Sequence, residues 1–138
     1  MAKDIAERGL ERGRAGQSLA ELSIVLVLFL VVTFGIVDAG RLIFAYNAVS
    51  LSAREGVRYA IVRGSTSLQV ANEDDIKTYV RSKTVGVALD PITVTWPDGN
   101  NNPGSKVQVT VQSPFTPVTP FLSRTINLAS TSMMVISR

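Results

Sequence analysis

Few side chains in this chain can do chemistry, and their spacing narrows what that chemistry is. There is no cysteine and no histidine. A Cys/His metal site, a Ser-His-Asp triad and a disulfide framework are therefore all excluded. An oxidising compartment stays open, since a protein can lack disulfides. Three groups of carboxylates and amides remain. Asp74 and Asp75 are adjacent, and neighbours on a helix diverge by about 100°, so they do not converge on one ion. With Glu73 they follow Asn72, which reads as an N-cap with acids at the positive end of a helix dipole. Asp98, Asn100, Asn101 and Asn102 offer oxygens that suit calcium. Their spacing matches no calcium loop, and the plainer reading is a hairpin turn. The third candidate is Glu21, which opens an uncharged run over residues 22–37. An ionisable group at the edge of such a run is a functional candidate by default. With no convergent nucleophile, base or metal set in view, an enzyme is not expected, and neither is a cofactor.

The run after Glu21 sets what the rest of the chain must do. Residues 22–37, or 19–37 if Glu21 is tolerated, form roughly 24–28 Å of helix at about 1.5 Å per residue. That is near the ~30 Å hydrocarbon core of a bilayer. Ahead of it, residues 1–16 mix Lys3, Arg8, Arg12 and Arg14 with Asp4, Glu7 and Glu11. Topology follows Lys and Arg close to the span. Four lie before it and only Arg41 and Arg54 closely after it, so the N-terminus is expected in the cytoplasm. A rival reading is a secretory signal cut after Ala39, which would leave a soluble chain starting at Gly40. The apolar run is at or above the usual 7–15 residues for that signal, and Glu21 is out of place in it.

Gly16, Gln17 and Glu21 at this spacing resemble a class III prepilin signal: a basic leader ending in glycine, glutamate at the fifth mature position, then an apolar helix. The resemblance implies cleavage of the Gly16–Gln17 bond by a prepilin peptidase, with the helix kept as an anchor. Cleavage would leave an α-amino group on Gln17, one helical turn from Glu21. A carboxylate in apolar surroundings is costly unless paired, so that amine, on the same or a neighbouring subunit, is the expected partner. The resemblance implies that this pair sets register during assembly. The alternative is that Glu21 lies among headgroups and only caps the helix.

Helical periodicity continues past the span. Gly35, Ala39, Leu42, Tyr46, Val49, Ala53, Gly56 and Ala60 form a seam with spacings of three and four. Arg41, Asn47, Arg54, Glu55 and Arg58 lie off it. Such a seam packs along another helix, and its small members allow close approach; equally, it can pack on the chain's own C-terminal part. The helix is expected over residues 18–63, roughly 69 Å long, closed by Gly64 as a C-terminal cap. Pairs at i,i+3, Asp38 with Arg41 and Glu55 with Arg58, support its surface.

Residues 34–41, Tyr46 and residues 53–60 (Ala-Arg-Glu-Gly-Val-Arg-Tyr-Ala), with the Gly16 to Glu21 opening, resemble the TadE-like family. These are minor pilins, or pseudopilins, of the tight-adherence (Flp) pilus system of bacteria and archaea. The likeness covers residues 14–64. Ser52 departs from it, since a second alanine is expected before Ala53.

Beyond residue 65 the chain reads as a small head. A second helix starts at Asn72, buries Ile76, Tyr79, Val80 and Val87, and ends at Asp90-Pro91. Residues 92–96 and 107–111 alternate apolar and polar side chains, as strands with one wet face do. Residues 113–120 read as a proline-punctuated crossover anchored by Phe115, with Phe121 and Leu122 beneath it. A third strand runs from Ile126 to Ile136. Trp96 is expected in the core or on the sheet. The fold class is thus α+β: a long transmembrane helix extending into a head with a second helix and a roughly three-stranded antiparallel sheet. The divisions are a leader over 1–16, a span over 17–37, a helical continuation over 38–64 and a head over 65–138.

The expected function is structural: a minor pilin or pseudopilin, anchored N-in in the cytoplasmic membrane and taking part in pilus assembly. The expected partners are prepilin peptidase, other pilin or pseudopilin subunits, the inner-membrane assembly platform and membrane lipid. A net charge of +3 without a basic patch gives nucleic acid no support. The alternatives are a pseudopilin of a secretion apparatus, or a tethered or secreted binding module.

Overall fold

The computed structural model describes residues 2–119 and 124–137, of which residues 2–15 by backbone alone. Phe121 and Leu122, expected beneath Phe115, lie outside the described residues. The fold is α+β: two helices, then three strands.

The first helix, α1 (Ala2–Ile61), meets no helix-breaking residue, because the first proline is Pro91. It therefore begins well before residue 18 and ends two residues earlier than expected. Gly64 does not cap it, since the left-handed glycines are Gly86, Gly99 and Gly104. The last turn closes instead through Arg63 N donating to Ala60 O at 3.0 Å. The chain forms two compact units, Met1–Asp38 and Ala39–Arg138. In the first, the apolar side chains of residues 19–37 are almost all exposed, Leu22 at 62% and Phe29 at 63%. Its polar hydroxyls bond within the helix, Ser23 to Leu19 O and Thr33 to Phe29 O. That removes the cost of placing them in an apolar medium.

The second unit combines α1 from Ala39 onward with α2 (Glu73–Lys83), β1 (Ile92–Thr95), β2 (Lys106–Phe115) and β3 (Ile126–Val135). Asn72 caps α2 in a reciprocal box: its side chain accepts from Asp75 N at 2.9 Å, and Asp75 accepts from Asn72 N at 3.1 Å. Asp75 is thus a cap and not half of a metal pair. The helix ends at Lys83, seven residues before Asp90. There Thr84, Val85 and Gly86 disfavour helix. The Thr84 hydroxyl turns back to Val80 O and Gly86 has φ +77°. Ile76 and Val80 are buried as expected, whereas Val87 packs on the core from the loop.

The sheet order is β1-β2-β3, all antiparallel. Val107, Val109 and Val111 are fully buried and alternate with half-buried Gln108, Thr110 and Gln112. The crossover expected from Ser113 starts later, because β2 continues through Pro114 to Phe115. Gln112 both donates to Pro91 O and accepts from Asp90 N. By the alternation of an antiparallel ladder, Pro114 points its nitrogen the same way, past the end of β1. No ladder bond is lost there, so proline is tolerated.

The core joins α1, α2 and the sheet. Val49, Ala53, Val57 and Ala60 pack with Ile76, Val80 and the β2 valines. At Gly56 the elements approach closely: a Cβ there would sit 2.7 Å from Val80 Cγ2 and 3.1 Å from Val109 Cγ1. Tyr59 and Tyr79 stack with centroids 4.1 Å apart, and the Arg63 guanidinium lies 3.9 Å over Tyr59.

Candidate functional site

Gly16 and Gln17 sit within the helical backbone of α1 and are exposed. Nothing lies within 4 Å of a Cβ built on Gly16, so no described side chain packs over that position. Gln17 and Glu21 are four residues apart and share one helix face. The Gln17 side chain donates from Nε2 to Glu21 Oε1 at 3.0 Å. The carboxylate is thus held by the residue whose amide nitrogen would become the new amino terminus. The helix that follows is long and apolar enough to cross a membrane.

The seam divides along its length. Gly35 and Ala39 are exposed, and Leu42 is half-buried. Tyr46 is 57% exposed and does not serve the head as a backing residue. Val49, Ala53, Gly56 and Ala60 are buried, and their partners are the chain's own α2 and sheet. Off-seam Arg41, Asn47, Arg54 and Arg58 are exposed, with Glu55 intermediate. Periodicity did not single out Ala45, Ser52 or Val57, which are also buried. They lie beside the seam because two neighbouring stripes of α1 face the head, as happens when a helix is pressed into a broad surface. Off these stripes Ile43, Phe44 and Leu51 remain exposed.

Ser52, the departure from the expected alanine, has a specific role. Its hydroxyl reaches Ala48 O at 2.7 Å and lies 2.6 Å from the Thr84 hydroxyl. It ties α1 to the end of α2 in a buried position.

The amide-rich loop is committed to its own turn. Asp98 Oδ2 accepts from Lys106 N at 2.8 Å, Asn100 Oδ1 from Asn102 N at 3.0 Å, and Asn101 Oδ1 from Trp96 Nε1 at 3.2 Å. Asn102 Oδ1 accepts from the Ser65 hydroxyl at 2.8 Å. Oxygens aimed at N–H and O–H donors do not converge on a cation. Among the described residues no group of three or more His, Cys, Asp or Glu could hold a metal ion.

No curated protein and no solved structure matches the chain. One family model does, described as TadE-like protein, and it matches residues 16–58. The match opens at Gly16, takes in Glu21 and the exposed apolar helix, and includes Val49, Ala53 and Gly56 of the buried seam before ending at Arg58. Over residues 16–58, then, the chain is similar to the TadE-like family.

Proposed function

We propose that the chain is a minor pilin, or pseudopilin, that takes part in assembling a tight-adherence (Flp) pilus. The observation that carries this reading is the coincidence of the TadE-like match with exposed Gly16 and Gln17 and with Glu21 at the head of an exposed apolar helix. A prepilin peptidase cuts after Gly16, the helix stays in the cytoplasmic membrane, and the head lies outside with the N-terminus in the cytoplasm. The work is mechanical. The helix inserts among neighbouring subunits and the assembly platform, and Glu21 pairs with a new amino terminus so that helices stop at one register. Lowering the cost of a carboxylate in an apolar medium gives that pairing its selectivity. No catalytic step belongs to the chain.

The test is the intact mass and N-terminal sequence of the protein from its native membrane, with and without active prepilin peptidase. A chain starting at Gln17 only when the peptidase is active supports the reading. A chain starting at Gly40 moves the protein to a secreted class, and an uncut chain in both samples removes the pilin role.

A further inference from the structure

In the sequence the apolar run of α1 ends at Asp38, the first charge after Glu21. The fold withdraws that charge, because Asp38 is only 7% exposed. The exposed surface of the helix therefore stays apolar further along. Ile43, Phe44 and Tyr46 are 62%, 57% and 57% exposed, and Arg41 is the one exposed charge between Leu22 and Arg54. Successive helix residues turn by about 100°, so these three side chains spread over an arc of about 160°. A helix wet on that side would carry polar groups there. Asn47 begins such a polar surface within the same arc, and Arg54 and Arg58 continue it. From Leu22 to Tyr46 is ~36 Å of helix. That is longer than the ~30 Å hydrocarbon core and shorter than the ~40–45 Å that includes the headgroups. Tyrosine favours the headgroup level, and arginine can lay its stem on apolar surface and keep its charge in water.

The head carries a second apolar tip beside Phe44. A Cβ built on Gly86 would lie 3.6 Å from the Phe44 ring. Next to Gly86, which turns with φ +77°, Val85 is 81% exposed. Phe44, Lys83 and Val85 line one cavity of about 300 Å³, and Arg41, Phe44, Gly86 and Phe115 line another of about 220 Å³. The Arg41 guanidinium lies 5.4 Å over the Phe115 ring. Two apolar side chains are thus flanked by a cation on either side, the arrangement that suits an interface of apolar chains and lipid phosphates.

We propose that the head rests on the surface of the bilayer that its helix crosses, with Phe44 and Val85 set among the lipid headgroups and Arg41 and Lys83 turned to their phosphates. The boundary of the span then falls between Arg41 and Tyr46, past Val37. Chain length selects lipid over a protein partner. Phe44 is seven residues beyond Val37, ~10 Å of helix, which keeps it within reach of the headgroup layer. Continuity supports lipid too, since the exposed apolar surface of residues 19–37 runs on into Ile43, Phe44 and Tyr46. A contact of so few side chains is weak by itself, and the anchor supplies the effective concentration that holds it. In this respect the proposal rests on the anchoring reading above.

The chain has no cysteine, so the test places single nitroxide labels on Val27→Cys, Tyr46→Cys, Leu68→Cys and Val85→Cys in the full chain. Each is reconstituted in vesicles of phosphatidylethanolamine and phosphatidylglycerol. Val27 lies in the apolar run, and Leu68 is fully exposed in the loop after α1. Collisions with lipid-soluble oxygen are compared with collisions with an aqueous nickel chelate. The oxygen-to-chelate ratio is expected to be highest at Val27, lowest at Leu68, and severalfold above Leu68 at both Tyr46 and Val85. A ratio at Tyr46 or Val85 no higher than at Leu68, with Val27 still favouring oxygen, overturns the proposal and leaves the anchor standing. A ratio at Val27 as low as at Leu68 defeats the anchoring reading, and the proposal with it. Dipolar broadening between Val85 labels that survives dilution with lipid shows a second copy covering this surface, and overturns the proposal as well.

Discussion

Gln17 Nε2 donates to Glu21 Oε1 at 3.0 Å in the uncut chain. The contact follows from one helical turn of separation, so any donor carried by residue 17 is held near that carboxylate. If the Gly16–Gln17 bond is cut, the α-amine appears on the same residue and can replace a neutral donor with a charged one. Hydrogen bonds to charged groups contribute about 1.5–3 kcal/mol, against about 1 kcal/mol for neutral ones. Glu21→Gln keeps size and an acceptor but removes the charge. It is expected to be processed at the normal rate by mass spectrometry and to fall about tenfold or more in the assembled, shearable fraction, since each ~1.4 kcal/mol is a factor of ten. Normal assembly of that variant would remove Glu21 from the register mechanism.

The head depends on one missing methyl group. Gly56→Ala brings a Cβ to 2.7 Å from Val80 Cγ2 and 3.1 Å from Val109 Cγ1, and neither valine is the end of a flexible side chain. Overpacking of this kind costs about 1–3 kcal/mol. Thermal unfolding of the full chain in detergent should show a lowered Tm. Gly56→Ala with Val80→Ala should recover part of it, because the second change opens room at the point of contact. If Gly56→Ala alone unfolds like the parent chain, the helix does not sit as close to α2 as described.

Much of this was legible from local pattern. The apolar run, the Asn72 cap and the alternation of Val107, Val109 and Val111 are each set by neighbours within a few residues. What escaped was set from further away. The end of α2 combines weak local helix formers at Thr84, Val85 and Gly86 with a contact of Thr84 to Ser52 across 32 positions. Pro114 reads as a break until β1 is known to end before it. The seam's period located a packing stripe but not its partner. Only the tertiary structure shows that Val49, Ala53, Gly56 and Ala60 are taken by the chain's own head while Tyr46 is not. Gln17 and Glu21 meet because their separation is one helical turn.

Asn72 satisfies a helix donor that would otherwise be open, and its own N–H is satisfied by Asp75 in return. Asn72→Ala removes the first bond and leaves the second. Loss of such a cap costs about 0.5–2 kcal/mol. Hydrogen exchange should speed up in the first turn of α2 while the β2 amides stay protected. Equal acceleration throughout the head would mean that α2 and the sheet unfold as one unit.

The Asp98 to Asn102 turn provides a test with calcium. A cation that binds only the folded chain stabilises it by RT ln(1 + [L]/Kd), but these oxygens already accept from Lys106, Asn102, Trp96 and Ser65. Millimolar calcium is expected to leave the Tm unchanged. Asp98→Ala, which strips the acceptor from Lys106 N, should cost the ~1 kcal/mol typical of one hydrogen bond and lower the Tm. A rise in Tm with calcium that Asp98→Ala abolishes would make the loop a metal site.

Ser52 is where a family-like stretch carries a residue that its likeness does not call for, and the contacts explain why. The side chain is 5% exposed, a position where an unpaired hydroxyl is costly. It is satisfied twice, through Ala48 O and the Thr84 hydroxyl. Thr84 is also held by Val80 O, so Ser52→Ala leaves it with a partner. That variant removes one buried bond without orphaning the other side, and the expected loss is about 1 kcal/mol. Thr84→Val is the harsher change. It leaves the Ser52 hydroxyl only its own helix carbonyl and removes the bond that turns the chain out of α2. The Tm should fall further for Thr84→Val than for Ser52→Ala. The double variant should cost less than the sum of the two, since residues in contact couple by about 0.5–3 kcal/mol. Strict additivity would show that the 2.6 Å contact contributes nothing to holding α1 against α2.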